Sequence, residues 1–256
     1  MAKDFRKLFL GKIKKAITDY GMIVDGDRVA VGISGGKDST SLLHALTLIS
    51  RSAPVKFGLE AVYIDLGWPG DVPSVDVSLL EDFCRSIGVD FHVVKTSIAE
   101  IVFQARGGKN PCAICAHLRR GAFHNKALEL GCSKVALGHH LDDVIETFFM
   151  SLFYTGQLRT FAPATYLDRS SLTMIRPLIY VSGDEVRTWV ELEKLPALPN
   201  PCPASGHTKR EEARELVAGL AERFPDLRSR FLNALKNFDR RNLWPEIQPK
   251  NKPMSS

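Results

Sequence analysis

Val29-Ala-Val-Gly-Ile-Ser34-Gly35-Gly36-Lys37-Asp38-Ser39-Thr40-Ser41-Leu-Leu is the stretch that decides the fold. Val29 to Ile33 is a short apolar run of the kind that forms a strand buried on both faces. Ser39-Thr-Ser-Leu-Leu-His-Ala-Leu then carries its apolar residues at helical spacing. Two glycines and small hydroxyl residues lie between, so a strand enters a tight loop and leaves as a helix. The loop N–H groups and the helix N-terminus converge on one point, which suits a phosphate. Gly35 and Gly36 allow the backbone close to an anion, and Ser34 and Ser39 add hydroxyl donors.

A Walker A loop is excluded. Val31 stands where its first Gly would be, and Asp38 where a Ser or Thr would follow the Lys. A carboxylate in an anion nest makes sense when a metal bridges it to the phosphates, so Asp38 reads as a Mg²⁺ ligand. Ser-Gly-Gly-Lys-Asp-Ser resembles the PP-loop of ATP pyrophosphatases, which split ATP into AMP and pyrophosphate to activate a carbonyl oxygen. The plainer alternative is a Gly-rich turn with incidental hydroxyls.

Composition bounds the rest. A chain of 256 residues, 45% hydrophobic and 25% charged, suits one large soluble domain or one with a small appendage. The sequence has no membrane-length apolar run, and no apolar signal region follows the charged N-terminus, so a cytoplasmic protein is expected. Five cysteines, an odd number, favour metal binding or reactive thiols over a disulfide framework. A net charge of +5 permits a polyanionic partner without demanding one.

Residues 3–20 read as an amphipathic helix, with Phe5, Leu8, Phe9, Ile13, Ala16 and Ile17 on one face. Arg6, Lys7, Lys12, Lys14 and Lys15 lie outside it, as a phosphate-contacting face or a merely solvated one. Leu59 to Asp65 is a second strand at βαβ spacing, which places Ile64 at the ligand-binding edge, where it can pack an adenine. A helix over 78–87 and a strand over 90–95 follow, giving an α/β fold with a largely parallel sheet. Cys112-Ala-Ile-Cys115 precedes a basic helix carrying Arg119 and Arg120, a pair able to clamp phosphates, with a merely solvated pair as the alternative. The CxxC fits metal or cluster ligands, or a redox dithiol. Lys134 to Gly138 is another buried strand, followed by His139-His140-Leu-Asp142-Asp143 and a helix that begins near Asp142. Two aspartates beside two histidines at a strand end point to a catalytic or metal role, with plain helix capping as the alternative. Gly156 to Pro163 reads as a loop, residues 173–179 as a short strand, and Gly183 through Leu192 as a helix. Four prolines then surround Cys202, making a rigid segment able to hold a third ligand. Thr208 to Glu211 is a capping box opening a helix to about Arg223, and another helix runs from Asp226 to Arg240. Cys84 and Cys132 read as packing residues.

Taken in order, the PP-loop, the CxxC with Arg119-Arg120-Gly, Gly138-His-His-x-Asp-Asp, Arg176-Pro-Leu and the late Pro-Cys202 resemble the tRNA 2-thiocytidine synthetase (TtcA) family. The resemblance runs from about residue 5 to residue 235. It implies a HUP-like, Rossmann-like parallel sheet flanked by helices, with helical N- and C-terminal extensions. The expected division is a basic helix over 1–26, an ATP-pyrophosphatase domain over 27–200, and the third cysteine with terminal helices over 201–256. It further implies Mg·ATP and a 4Fe–4S cluster on Cys112, Cys115 and Cys202, with one iron left to hold sulfide. Ser34, Gly35, Gly36, Asp38, Ser39, Ile64, Arg119, Gly138 and Asp143 would surround ATP, with Asp38, Arg119 and Asp143 as the catalytic set. The implied partners are tRNA, a sulfur donor (sulfide or a cysteine desulfurase), and a second copy of the chain in a homodimer. Ser205 stands where the family often has a further cysteine, which suggests a subfamily whose substrate differs. The extra CxxC pairs of thymine-loop uridine thiolases are missing, which favours cytidine.

The implied chemistry starts with the pyrimidine O2 attacking the α-phosphate, and sulfur then replaces that oxygen at C2 as AMP leaves. An unstacked base is needed, hence a tRNA loop. Three other readings compete: an amide-forming ATP pyrophosphatase, a structural zinc site completed by His117 or His207, and a non-enzymatic RNA-binding protein.

Overall fold

Alternation along the first strand organises the molecule. In the computed structural model, which describes residues 2–68, 76–103, 111–199, 201–202 and 209–239, strand β1 (Arg28–Ile33) sends Val29, Val31 and Ile33 to one face and Ala30 to the other. Both faces are buried, as a central parallel strand requires. β1 is followed by helix α2 (Lys37–Ser52), β2 (Gly58–Asp65), α3 (Ser78–Ile87) and β3 (Asp90–Lys95). Next come α4 (Ile98–Phe103), α5 (Pro111–Glu129), β4 (Lys134–Ala136), α6 (Leu141–Thr155), β5 (Ala164–Leu167) and β6 (Leu172–Ile175). Helix α1 (Ala2–Asp19) precedes them, and α7 (Gly183–Glu193), α8 (Lys209–Arg223) and α9 (Leu227–Lys236) close the described chain.

The strand order is β3-β2-β1-β4-β6-β5, parallel except for β5, which runs antiparallel to β6. From β1 the chain builds outward through β2 and β3, then returns to place β4 on the other side of β1. The carboxyl ends of β1 and β4 therefore flank a topological switch point, where open α/β sheets bind ligands. One face packs residues from α1, α2, α3 and α7, with Phe9 stacked on the buried Trp189 at 4.3 Å. The other face is covered by α4 and α5. A satellite cluster of Leu141, Ile145 and Val217 joins α6 to α8.

Several expectations need correction. Leu8 is 55% exposed; Phe9, Ile13 and Ala16 carry the burial on α1. The basic side of α1 is partly spent inside the molecule: Arg6 pairs with Glu193 at 2.5 Å, Lys12 with Glu185 at 2.6 Å and Lys15 with Asp19 at 3.1 Å. β5 had no signal strong enough to read, because its turn to β6 (168–171) has no Gly and uses Ser171 at φ 51°. The CxxC lies inside α5, which Pro111 opens in the position where its missing N–H costs nothing. α9 ends at Lys236, and Thr208 of the capping box and Arg240 lie outside the described residues. Cys84 and Cys132 are buried, and burial pushes their thiols up to about 12 and about 11, so both are inert packing residues.

Candidate active site

The loop after β1 is held by its own hydroxyls. Ser34 N–H donates to Ser39 Oγ at 3.1 Å, and Ser39 Oγ donates to the Gly36 carbonyl at 2.8 Å. Gly35 has φ +81°, a conformation that disfavours any side chain. Its carbonyl accepts from Leu198 N–H at 2.8 Å, and a Cβ on Gly35 would lie 2.9 Å from Leu198 Cβ. Asp38 starts α2 with its side chain 34% exposed, between Lys37 Nζ at 2.6 Å and His140 Nε2 at 3.6 Å.

The end of β4 closes on this loop. A Cβ on Gly138 would meet the Asp38 carbonyl carbon and oxygen at 2.9 Å and Ser39 N at 3.1 Å, so the two backbones touch. His140 lies within reach of three carboxylates: Asp143 at 3.4 Å, Asp38 at 3.6 Å and Asp142 at 4.0 Å. It links the PP-loop to α6. Asp143 Oδ2 accepts from His140 N–H at 2.9 Å, capping α6, while its Oδ1 accepts from Arg210 at 3.1 Å. Asp142 is differently engaged. It accepts from Gly183 N–H at 2.6 Å and from Arg228 Nε at 2.5 Å, tying α6 to α7 and α9. Glu146 is 2% exposed and meets Arg214 at 3.3 Å; burial, with the Asp143 charge adding to it, raises its carboxyl above the usual range.

β2 runs two residues past its last register pair with β1, Ile33↔Tyr63, which leaves Ile64 and Asp65 at the sheet edge beside the loop. The Ile64 side chain is buried in the core cluster, so its backbone is what it offers a base. On α5, Cys112, Cys115 and Arg119 recur at helical spacing along one face. Burial pushes the Cys115 thiol up, the Arg119 guanidinium opposes it, and the neighbouring Cys202 and Cys112 thiols add to it. Cys115 thus has both Cys112 and Cys202 for neighbours, and none of the five cysteines is in a disulfide. Among the described residues no three His, Cys, Asp or Glu side chains close on a single metal ion. His117 is exposed on α5, and His207 lies outside the described residues.

Known proteins share this sequence pattern and fold. A family model described as a PP-loop domain matches residues 7–218. The tRNA-cytidine(32) 2-sulfurtransferase of Syntrophotalea carbinolica is 42% identical over 232 residues, covering 90% of this chain and 88% of its own. That of Pelobacter propionicus is 41% identical over 234 residues, covering 90% and 86%. The chain belongs to the tRNA-cytidine(32) 2-sulfurtransferase family of PP-loop proteins. Its fold matches that of the U34-tRNA thiolase NcsA from Methanococcus maripaludis, solved with its 4Fe–4S cluster, at a TM-score of 0.74 and 23% identity. The match covers 93% of this chain and 81% of that one.

Arg176, in the Arg-Pro-Leu stretch that follows β6, is buried beside His139. Its Nε donates to His139 Nδ1 at 3.2 Å, its Nη1 to the Ala162 carbonyl at 2.6 Å, and its guanidinium stacks on Phe161. Burial pulls Arg176 down to about 10, still charged at neutral pH. Burial also takes His139 down to about 4; the Arg176 and Arg210 charges and His140 act in the same sense, against Asp143. The fold therefore refuses a proton that the unfolded chain accepts between about pH 6.5 and 4. Stability is expected to fall as pH drops through that window, by on the order of 2–3 kcal/mol from this group. Denaturant midpoints at pH 7, 5.5 and 4.5 check it: His139→Asn, which keeps an acceptor for Arg176, should show a shallower decline than the wild type. Equal declines would remove His139 as the source.

Reading residue types alone missed His140 as the bridge between two loops, and Arg210, Arg214 and Arg228 as partners of the site carboxylates. Those arginines lie 67 to 86 positions from their partners, in helices that read only as basic.

Proposed function

We propose that the chain thiolates C2 of a cytidine in a tRNA loop, using ATP to activate the oxygen it replaces. One observation supports this above the others: the segment leading to Cys202 rests on the PP-loop, through Leu198 and Gly35, while Cys202 neighbours Cys115 on α5. Phosphate-binding backbone and a thiol trio thus share one sheet edge, an arrangement that an amide-forming relative would leave without purpose.

The cytosine O2 attacks the α-phosphorus, and the bond to pyrophosphate breaks. The loop N–H groups from Ser34 to Ser39 stabilise the charge that develops on the departing pyrophosphate. Asp38, at the loop mouth, is the ligand for Mg²⁺, and Asp143 either shares it or handles a proton. Arg119 steadies phosphate from the α5 side. Sulfide then attacks C2, the C2–O bond breaks, and AMP leaves with the oxygen. Three thiols on two segments are the donor set that would hold a 4Fe–4S cluster, through Cys112, Cys115 and Cys202, and the cluster would supply the sulfide. Sulfide or a cysteine desulfurase as donor, a homodimer and a cytoplasmic location complete the reading. Among the described residues no helix is long and apolar enough to cross a membrane.

Anaerobic purification with iron, sulfide and zinc analysis tests this. About four iron and four sulfide per chain are expected, lost or made labile in Cys202→Ala. Stoichiometric zinc from the same preparation would remove sulfur delivery on iron and leave an ATP pyrophosphatase with a structural metal.

A further inference from the structure

Cys202 follows closely on an attachment to the nucleotide site. Four residues before it, Leu198 N–H donates to the Gly35 carbonyl at 2.8 Å, and its side chain fills the space a Cβ on Gly35 would need. Pro196, Pro199 and Pro201 restrict φ at three positions of the approach, and only three residues separate Leu198 from Cys202. The buried Leu195 anchors the start of the segment in the core below.

We infer that Leu198 is a positioning residue that couples occupancy of the PP-loop to retention of the metal group on Cys202. The inference rests on the cysteine trio being the ligand set. Phosphates bound to the loop N–H groups order Gly35, and an ordered Gly35 carbonyl holds Leu198, four positions before Cys202. Coupling of this kind is reciprocal: if nucleotide favours the loaded trio, the loaded trio favours nucleotide by the same factor. The consequence for the reaction is order. A chain without nucleotide holds its sulfur-delivering group loosely, and ATP fixes it before the base is activated.

The test times iron loss from reconstituted wild-type protein to a ferrous chelator, with and without an α,β-methylene analogue of ATP that cannot be cleaved. Calorimetry on loaded and metal-free protein gives the analogue's Kd in each state. The analogue is expected to slow iron loss about 5-fold or more, and the loaded protein to bind it more tightly by a factor of that order. Leu198→Pro, which removes the N–H, should bring both effects within about 2-fold of unity, and Leu198→Ala, which keeps it, should retain them, with circular dichroism confirming the fold. Iron loss from the wild type that ignores the analogue overturns the inference without any variant, as does full coupling in a folded Leu198→Pro. A wild type that binds zinc and no iron instead overturns the cluster reading. The same chelator timing on zinc then decides the coupling.

Discussion

Gly138→Ala is expected to leave a folded protein that releases AMP from ATP, with tRNA present, about 10²-fold more slowly. The added Cβ would sit 2.9 Å from the carbonyl carbon and oxygen of Asp38 and 3.1 Å from Ser39 N, and all three are backbone atoms. No rotamer change relieves such a contact. The β4 side cannot slide away, because β4 is in register with β1 through Val31↔Ala136 and with β6 through Ala136↔Ile175. The strain, about 1–3 kcal/mol for overpacking of this kind, therefore displaces the first turn of α2, which carries Asp38 and Ser39. A shift of about 1 Å in a reacting constellation is enough for a loss of that size. Gly219→Ala is the control. It makes the same chemical change in α8, where nothing lies within 4 Å, and should gain about 0.5–1 kcal/mol with the rate unchanged. A wild-type rate in Gly138→Ala would mean that the β4–PP-loop contact does not set the reacting geometry.

That contact also shows what could be read from the residues. β1, its loop and α2 are local: an apolar run, two glycines and a helical stripe specify strand, turn and helix without help from elsewhere. The same holds for β4 and α6, so the two halves of the switch point, from Ser34 to Ser39 and from Gly138 to Asp143, were legible as separate pieces. Their meeting was not, because the Gly138–Asp38 approach depends on β4 pairing with β1 across the 100 residues of chain between the two strands. β5 escaped because four residues and a turn without glycine carry too little signal. The arginines of α8 and α9 escaped for another reason. A basic residue on a solvated helix and one that reaches a buried carboxylate look alike until the helices dock. Leu198 is the extreme case: an apolar residue among prolines, whose role lies in its N–H and in the glycine it covers.

The adjacent aspartates Asp142 and Asp143 should separate into a stability phenotype and an activity phenotype. Asp142 gives both oxygens to the fold, one to Gly183 N–H and one to Arg228 Nε. Asp142→Ala strands a buried N–H, at a cost of about 1–3 kcal/mol, and also removes the partner of a half-buried guanidinium. Its thermal midpoint should fall by roughly 5–10 °C, with kcat at low temperature changed only a few-fold. Asp143 is the reverse. In Asp143→Asn the side-chain oxygen can still cap His140 N–H, so the helix start survives and stability should stay within about 1 kcal/mol. The negative charge is gone, and with it either a magnesium ligand beside Asp38 or the group that moves a proton. AMP formation should drop about 10²–10⁴-fold. His140, within 4 Å of both carboxylates and of Asp38, makes the comparison a strict one, since either variant alters its surroundings by a single group. If Asp142→Ala proves as inactive as Asp143→Asn while remaining folded at the assay temperature, the chemistry belongs to the pair. Asp143 alone would then no longer account for it.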